Sequence, residues 1–516
     1  MYSRRVASLL CLTLFVLVAN NAVSAENLAV RSAAESITSA DLKSHVDVLA
    51  DDTFEGREAG KRGGRAAGTY LVRALQKHNL KPSGASGGYF QPFKSGYRNL
   101  LAMLEGSDPQ LKNEVIIVCA HYDHVGYGNR GNSYGPFGYV HNGADDNASG
   151  TSGLLEAIEA FSQLPAAPRR SILFAFWDGE EKGLLGSKHW IANPTISLAR
   201  VKVVVNVDMI GRLRKKVDVY GIRTGSGLRS LVSKANADVG LDLNFTWEMK
   251  NNSDHYPFFS RGIPALMLHT GLHDDYHRPS DDAHKINTDG MQDVVRLLFR
   301  LSSQLGEEDK ITGFRRNSRS DSVAQQRRFE KPLPRRKPRL GVWMKDIEDS
   351  DGVVVTRIVD GSAADRFGLQ SGDQIVKFAG VPVVNQERLT RRILRAPVNV
   401  EIVIHRGDSI EPQTIPVELA GNPVRIGISW RNDPAEPSGV MITQVISASP
   451  AHRAGLKTGD RIYNVDGKLF GSSTEFLTLV NTLPSPINLL VERNGKLAEI
   501  PLDVSDPIEK SPVAAD

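Results

Sequence analysis

The chain has 516 residues, 24% charged and 41% apolar, with a formal charge of +4. Single cores stop growing near about 250–300 residues, so several domains are expected. The balance is that of ordinary globular protein, and so small a net charge singles out neither nucleic acid nor membrane as a partner.

Residues 1–25 read MYSRRVASLLCLTLFVLVANNAVSA, a basic start, an apolar run from Val6 to Val18, and small residues at Val23 and Ala25. That pattern predicts a secretory signal peptide cut after Ala25, and an exported protein in the periplasm or outside the cell. The apolar run is shorter than the roughly 20 residues a membrane span needs. Cleavage would remove Arg4 and Arg5 and lower the charge from +4 to +2. Of the two cysteines, Cys11 leaves with the signal. Cys119 then has no intrachain disulfide partner, and is expected as a small buried hydrophobe.

Over 26–306, apolar runs such as EVIIVCAHYD, SILFAFWD, VKVVVNVDMI, KVDVYGI and PALMLHT alternate with helical stretches such as SGLLEAIEAFSQL. Strands apolar nearly throughout are buried on both faces. The segment therefore predicts an α/β domain with a mixed, largely parallel sheet flanked by helices. Polar clusters fall just after the strand ends, where loops of an open sheet converge.

Those clusters offer metal donors in order: His121 in AHYDHVG, Asp145 in GADDNASG, Glu181 in WDGEEKG, Asp208 in NVDMIG and His277 in YHRPSDD. Imidazole and carboxylate without thiolate suit zinc in an open site. Five ligands exceed one such site, whereas two ions sharing a carboxylate account for the count. Singly, each donor reads as structural, an Asp before a helix being a common N-cap. His124, His141, His189, His255, His269, His273 and His284 read as ordinary surface or core histidines. The adjacent Glu180 and Glu181 point to different sides at a strand end, so they can hold different tasks.

In this set, with FEGREAGKRGG upstream, residues 40–305 resemble the co-catalytic zinc aminopeptidases, which include bacterial leucyl and streptomycete-type aminopeptidases and aminopeptidase Y. The resemblance implies two zinc ions, Asp145 bridging them, His121 and Asp208 completing one site, and Glu181 and His277 the other. It implies Asp123 as the group orienting the His121 ring, a cis bond between Asp145 and Asp146, and Asp281 as a support of the His277 loop. Glu180 would then be general base and acid in hydrolysis of N-terminal residues from peptides. Two alternatives stand beside this reading: a carboxypeptidase or glutaminyl-cyclase-like relative, and a catalytically silent binding scaffold.

Residues 307–338 change character: from 310 to 339 there are many Arg and Lys, two acidic residues and three prolines. Such a run predicts a disordered, self-repelling linker, with weak contact to anionic surfaces as the sharper reading. It has no aromatic interleaving for base stacking, and the chain has no Walker pattern, so no nucleic acid is expected.

Beyond it the sequence repeats: the run starting GVVVTRIVDGSAADRFGLQSGDQI at Gly352 aligns with GVMITQVISASPAHRAGLKTGDRI at Gly439, 87 residues later. Two small β-rich modules follow, over 339–420 and 421–505, with a tail at 506–516. Their GLxxGD motifs and the Leu340-Gly341-Val342 and Ile426-Gly427-Ile428 loops resemble PDZ domains. That resemblance implies capture of peptide or protein C-termini by loop N–H groups and an added strand.

Overall fold

The computed structural model describes residues 28–505 apart from positions 95, 335, 349, 408 and 410. The predicted signal peptide and the tail from 506 lie outside the described residues. The chain divides near residue 326 into two compact units, with residues 494–496 grouped with the first. Among the described residues no helix is long and apolar enough to cross a membrane.

The first unit is built on a nine-stranded sheet comprising β1 (Lys81–Pro82), β2 (Phe90–Phe93), β3 (Tyr97–Leu104), β4 (Val115–His121), β5 (Ser171–Trp177), β6 (Val201–Val207), β7 (Val217–Tyr220), β8 (Leu243–Phe245) and β9 (Ala265–His269), in the order β1-β3-β5-β4-β6-β9-β7-β8 with β2 beside β3. β5, β4, β6 and β9 run parallel, while β3 and β7 join antiparallel at the flanks. β4 and β5 are buried along their whole length because both faces are covered. Ile116, Val118 and Ala120 join the core that includes helices 39–49, 150–162 and 288–307, while Ile117 and Cys119 face Trp190 and Phe258 on the opposite side. Cys119 is free and fully buried, as a small core residue.

From β4 the chain runs out to β5 and then crosses back to β6 on the other side of β4. This reversal opens a crevice above the carboxyl ends of the central strands, where loops leaving in opposite directions separate. His121 ends β4, Glu180 and Glu181 follow β5, Asp208 follows β6, and the His277 loop follows β9.

The basic segment is not a free linker. Phe314 packs edge-on to Phe259 at 5.6 Å, Arg315 N–H donates to the Thr224 carbonyl, and Asp321 accepts from Arg223 at 2.8 Å and also pairs with Arg315. One aromatic anchor and one shared carboxylate thus tie residues up to 321 onto the first unit, and a short helix follows at Val323–Glu330. Further on, Leu333 N–H donates to the Thr443 carbonyl and Arg431 to that of Phe329, so this part packs on the second module.

The second unit holds two antiparallel sheets. The first has six strands, β10 (Val342–Asp346), β11 (Val353–Ile358), β12 (Gln374–Phe378), β13 (Val381–Pro382), β14 (Asn399–His405) and β15 (Gln413–Glu418); the second has five, β16 (Ile428–Asp433), β17 (Glu436–Val445), β18 (Arg461–Val465), β19 (Ile487–Arg493) and β20 (Lys496–Leu502). The doubled Gly-Asp motif has one physical role in both. Asp373 accepts a bidentate pair from Arg406 on the strand side, and Asp460 does so from Arg493, each carboxylate being 1% exposed. Gly341 and Gly427 have φ of 87° and 88°, and a Cβ at either would sit 2.2 or 2.1 Å from the Cβ of Ser362 or Ser449. Only glycine fits where each loop turns back over the following helix.

Candidate metal centre

Above the crevice, two groups of donors assemble, each with its ligand atoms within 4.8 Å of one another: His121, Glu180 and Asp208, and His124, Asp146, Glu181 and His277. The structure brings His121, Asp208, Glu181 and His277 together. Asp145 is not among them, and its place is taken by Asp146.

Asp146 faces both groups. Its Oδ1 lies 3.3 Å from His121 Nε2, which is 3.5 Å from Asp208 Oδ1; its Oδ2 lies 3.0 Å from His277 Nε2, which is 3.1 Å from Glu181 Oε2. His277 Nε2 nevertheless makes no well-aligned hydrogen bond. Ligands at roughly 2.0–2.1 Å from a zinc ion stand about 3.3 Å apart along a tetrahedron's edges. The separations are those of donors around a common centre, and an oxygen and nitrogen set fits zinc.

Asp145 is turned the other way. Its Oδ1 accepts the Gly211 N–H at 2.6 Å and its Oδ2 lies 3.1 Å from His273 Nε2, with the side chain fully buried. Two consecutive carboxylates cannot share one direction, and the turn decides which faces the crevice. That turn is held by Asp281, whose carboxylate accepts the N–H groups of Asp145 and Asp146, both at 3.0 Å to one oxygen. Asp281 therefore secures the Asp146 segment rather than the His277 loop, and burial beside Asp145 lifts its carboxyl to about 7. The cis bond expected before Asp146 lies after it, between Asp146 and Asn147. Gly143 approaches so closely that a Cβ would lie 2.4 Å from the His124 ring.

Orientation of His121 also departs from expectation. The Asp123 carboxylate is 3.8 Å from His121 Nδ1, too far for a hydrogen bond, whereas the Asp123 backbone carbonyl accepts from that nitrogen at 3.1 Å. This bond directs Nε2 at the cluster. The Asp123 side chain instead accepts the Glu180 N–H at 3.0 Å and so fixes the loop after β5.

Partners behind the donors complete the arrangement. His124 Nδ1 lies 2.8 Å from Glu181 Oε1, and its Nε2 is buried without a hydrogen-bond partner. Ser253 donates to Asp208 at 2.5 Å and receives from Asn206. Arg57, from the FEGREAG stretch, is 1% exposed and donates to the carbonyls of Leu49, Tyr122, Asn142 and Gly143, pinning the loops that carry the donors.

Charge follows the same division. Burial works against the imidazolium of His277, but the Asp146 and Glu181 carboxylates, 3.0 and 3.1 Å from Nε2, outweigh it and lift the ring to about 11. Burial pushes the Glu180 carboxyl well above its usual range; His121 opposes this, while Glu181, Asp254 and Asp208 add to it. Among the other histidines, His141 bonds Ser133 at 2.6 Å, His269 accepts the Gly271 N–H and His189 stacks on Phe93. Asp146, His124 and Ser253 are the residues sequence reasoning missed. The doubled Asp of GADDNASG was the available signal for the first, and the second histidine of AHYDHVG for the second.

Known proteins match in the same regions. Residues 99–302 match the model of peptidase family M28, and residues 331–405 and 424–504 match PDZ domain models. The leupeptin-inactivating enzyme 1 of Streptomyces exfoliatus is 30% identical over 251 residues, 48% of this chain and 52% of that protein. Aminopeptidase YwaD of Bacillus subtilis is 29% identical over 38% of this chain and 42% of its own, and a probable leucine aminopeptidase 1 of Trichophyton verrucosum 26% over 51% and 73%. The chain spans about half the length of the first two.

Proposed function

We infer that this chain, in which a peptidase family M28 domain is followed by two PDZ domains, is an exported zinc-dependent aminopeptidase that releases N-terminal residues from peptides. The observation that carries the reading is Asp146, whose two oxygens address the two donor groups at 3.3 and 3.0 Å. Two ions would be held, one by His121, Asp208 and Asp146, the other by His277, Glu181 and Asp146. Relatives named as aminopeptidases support the choice of end group.

Zinc bound there supplies Lewis acidity, acidifying water and polarising a peptide carbonyl. The chain's own part is positional and protonic. Asp146 holds the two donor groups at a fixed spacing, and the Asp123 carbonyl keeps the His121 ring pointed inward. Glu180, half-buried and with its carboxyl lifted well above the usual range, takes the proton from the attacking water and returns it to the leaving amine. Its backbone bond to Asp123 holds it beside the reacting atoms. Tyr276 stacks on His277 at 3.9 Å; burial and then the Asp146, Glu181, Asp208 and Glu180 carboxylates keep its phenol protonated, a donor at the rim.

The test measures zinc per chain and hydrolysis of free and N-acetylated peptides by the wild type and Glu180→Gln. About two zinc ions, turnover of free N-termini alone, and at least about a thousandfold loss in the variant with zinc retained are expected. Cleavage of acetylated peptides would move the activity to another class. N-terminal sequencing of the protein recovered outside the cytoplasm should begin at Glu26, as the signal reading requires.

A further inference from the structure

Between the second histidine of AHYDHVG and the GADDNASG turn, residues 126–141 form a loop whose aromatic side chains face solvent. Tyr127 is 48% exposed, Tyr134 65%, Phe137 46% and Tyr139 63%. Arg130 is the only Lys, Arg, Asp or Glu in the stretch. Four large rings left in water within thirteen residues forgo burial that each could gain, and such a patch marks a place where something binds.

The loop is held in place by bonds to the metal centre. Tyr134 N–H and Ser133 Oγ both donate to the His277 carbonyl, at 3.1 and 2.9 Å. Arg278 donates to the Tyr134 and Gly135 carbonyls, and Gly138 N–H to that of Tyr127 at 2.8 Å. The Tyr134 ring lies 6.2 Å from Tyr276 and 6.4 Å from His277. A path thus leads outward from buried Asp146 through His277, 14% exposed in its side chain, to Tyr134 at the surface.

We propose that this loop is a substrate-selecting wall that takes the apolar, above all aromatic, side chains of the peptide residues following the cleaved bond. The inference rests on the peptidase reading of the centre. In an exopeptidase the terminal residue occupies the enclosed end of the site, so only the chain beyond the scissile bond passes over an exposed rim. Rings can stack on such residues in offset or edge-on geometry, and a single covered aromatic accounts for about tenfold in affinity. The substrate class is therefore peptides of three or more residues with an aromatic side chain second or third.

The experiment compares kcat/KM for Leu-Phe-Phe and Leu-Gly-Gly in the zinc-loaded full chain and in Phe137→Ser and Tyr139→Ser. The ratio within one protein is insensitive to the fraction folded. The wild type should favour the aromatic peptide by at least about tenfold, and each variant should bring the ratio several-fold closer to one. A wild-type ratio near one, or variants that keep the wild-type ratio, overturns the proposal while leaving the peptidase reading intact. If the wild type cleaves neither peptide, the peptidase reading fails, and calorimetric binding of the same two peptides reads the wall directly. A preference for Leu-Phe-Phe that the variants lose supports it, and no preference overturns it.

Discussion

Asp145 and Asp146 are neighbours in the chain and face opposite environments: Asp145 closes on the Gly211 N–H and His273, and Asp146 stands between His121 and His277. The two carboxylates should separate cleanly in experiment. Asp146→Asn removes the charge that both metal positions share, so zinc content should fall well below two per chain and activity by at least about a thousandfold. Asp145→Asn keeps an oxygen for Gly211, so zinc should remain and activity fall by no more than about tenfold. Atomic absorption on dialysed protein with peptide turnover decides; the reverse order would return the bridging role to Asp145.

His124 gives a second separation. Its ring nitrogen holds Glu181 at 2.8 Å and lies 3.8 Å from Asp146 Oδ2. Partners that orient a ligand typically account for about 10–100-fold in metal affinity. His124→Ala should therefore weaken one zinc by that factor in chelator competition and leave the position built on His121 and Asp208 close to wild type. Equal weakening of both, or of neither, would remove this role.

These two residues also mark where the sequence was legible and where it was not. The strands could be read because Val115–His121 and Ser171–Trp177 are apolar on both faces, and the donors because they follow strand ends in chain order. Which of two adjacent aspartates points inward depends on Asp281, 135 residues further on, accepting the Asp146 N–H, and no local pattern encodes that. His124 was hidden because one histidine after a strand looks like any other until Glu181 stands beside it. The basic segment was misread because composition averages over a run, whereas Phe314 and Asp321 act as single anchors.

Protonation of the metal-free centre has a defined sign. The nearby Asp146 and Glu181 carboxylates overcome burial and lift His277 from an ordinary value of 6.5 to about 11. A raised folded-state value means stabilisation that is complete below about pH 6.5 and lost as pH climbs through about 11. Asp281, lifted to about 7, works in the same direction only between about pH 4 and 7, so the slope above pH 7 belongs to His277. The melting temperature of chelator-treated protein should therefore fall between pH 7 and 10, and less steeply in His277→Gln. Zinc needs the neutral ring, so its apparent affinity should rise over the same range with proton release. Parallel melting profiles for the two proteins would show that His277 is not charged in the metal-free state.

The two PDZ domains differ in the space beside their glycine loops. Beside the first, a cavity of about 750 Å³ is lined by Leu340, Gly341, Val342, Trp343, Thr390 and Leu394, and is closed on its far side by Gln444, Val445 and Ile446 of the second. In the second, Trp430 Nε1 donates to Ser473 Oγ at 3.1 Å, Ser473 donates to Asn432 at 2.6 Å, and the Trp430 ring stands edge-on to Phe476. Those bonds join the strand to the helix across which a peptide would have to insert as an added strand. A peptide with a free C-terminal carboxylate and an apolar last residue should therefore bind the full chain at one site. Thr390→Glu places a negative charge in the open groove and should weaken binding at least about tenfold, since like charge repels the carboxylate. Leu477→Glu, at the same position of the second helix 87 residues on, should leave it unchanged. Fluorescence anisotropy with the free and C-terminally amidated peptide measures both, and sensitivity to Leu477→Glu in place of Thr390→Glu would assign the binding groove to the second domain.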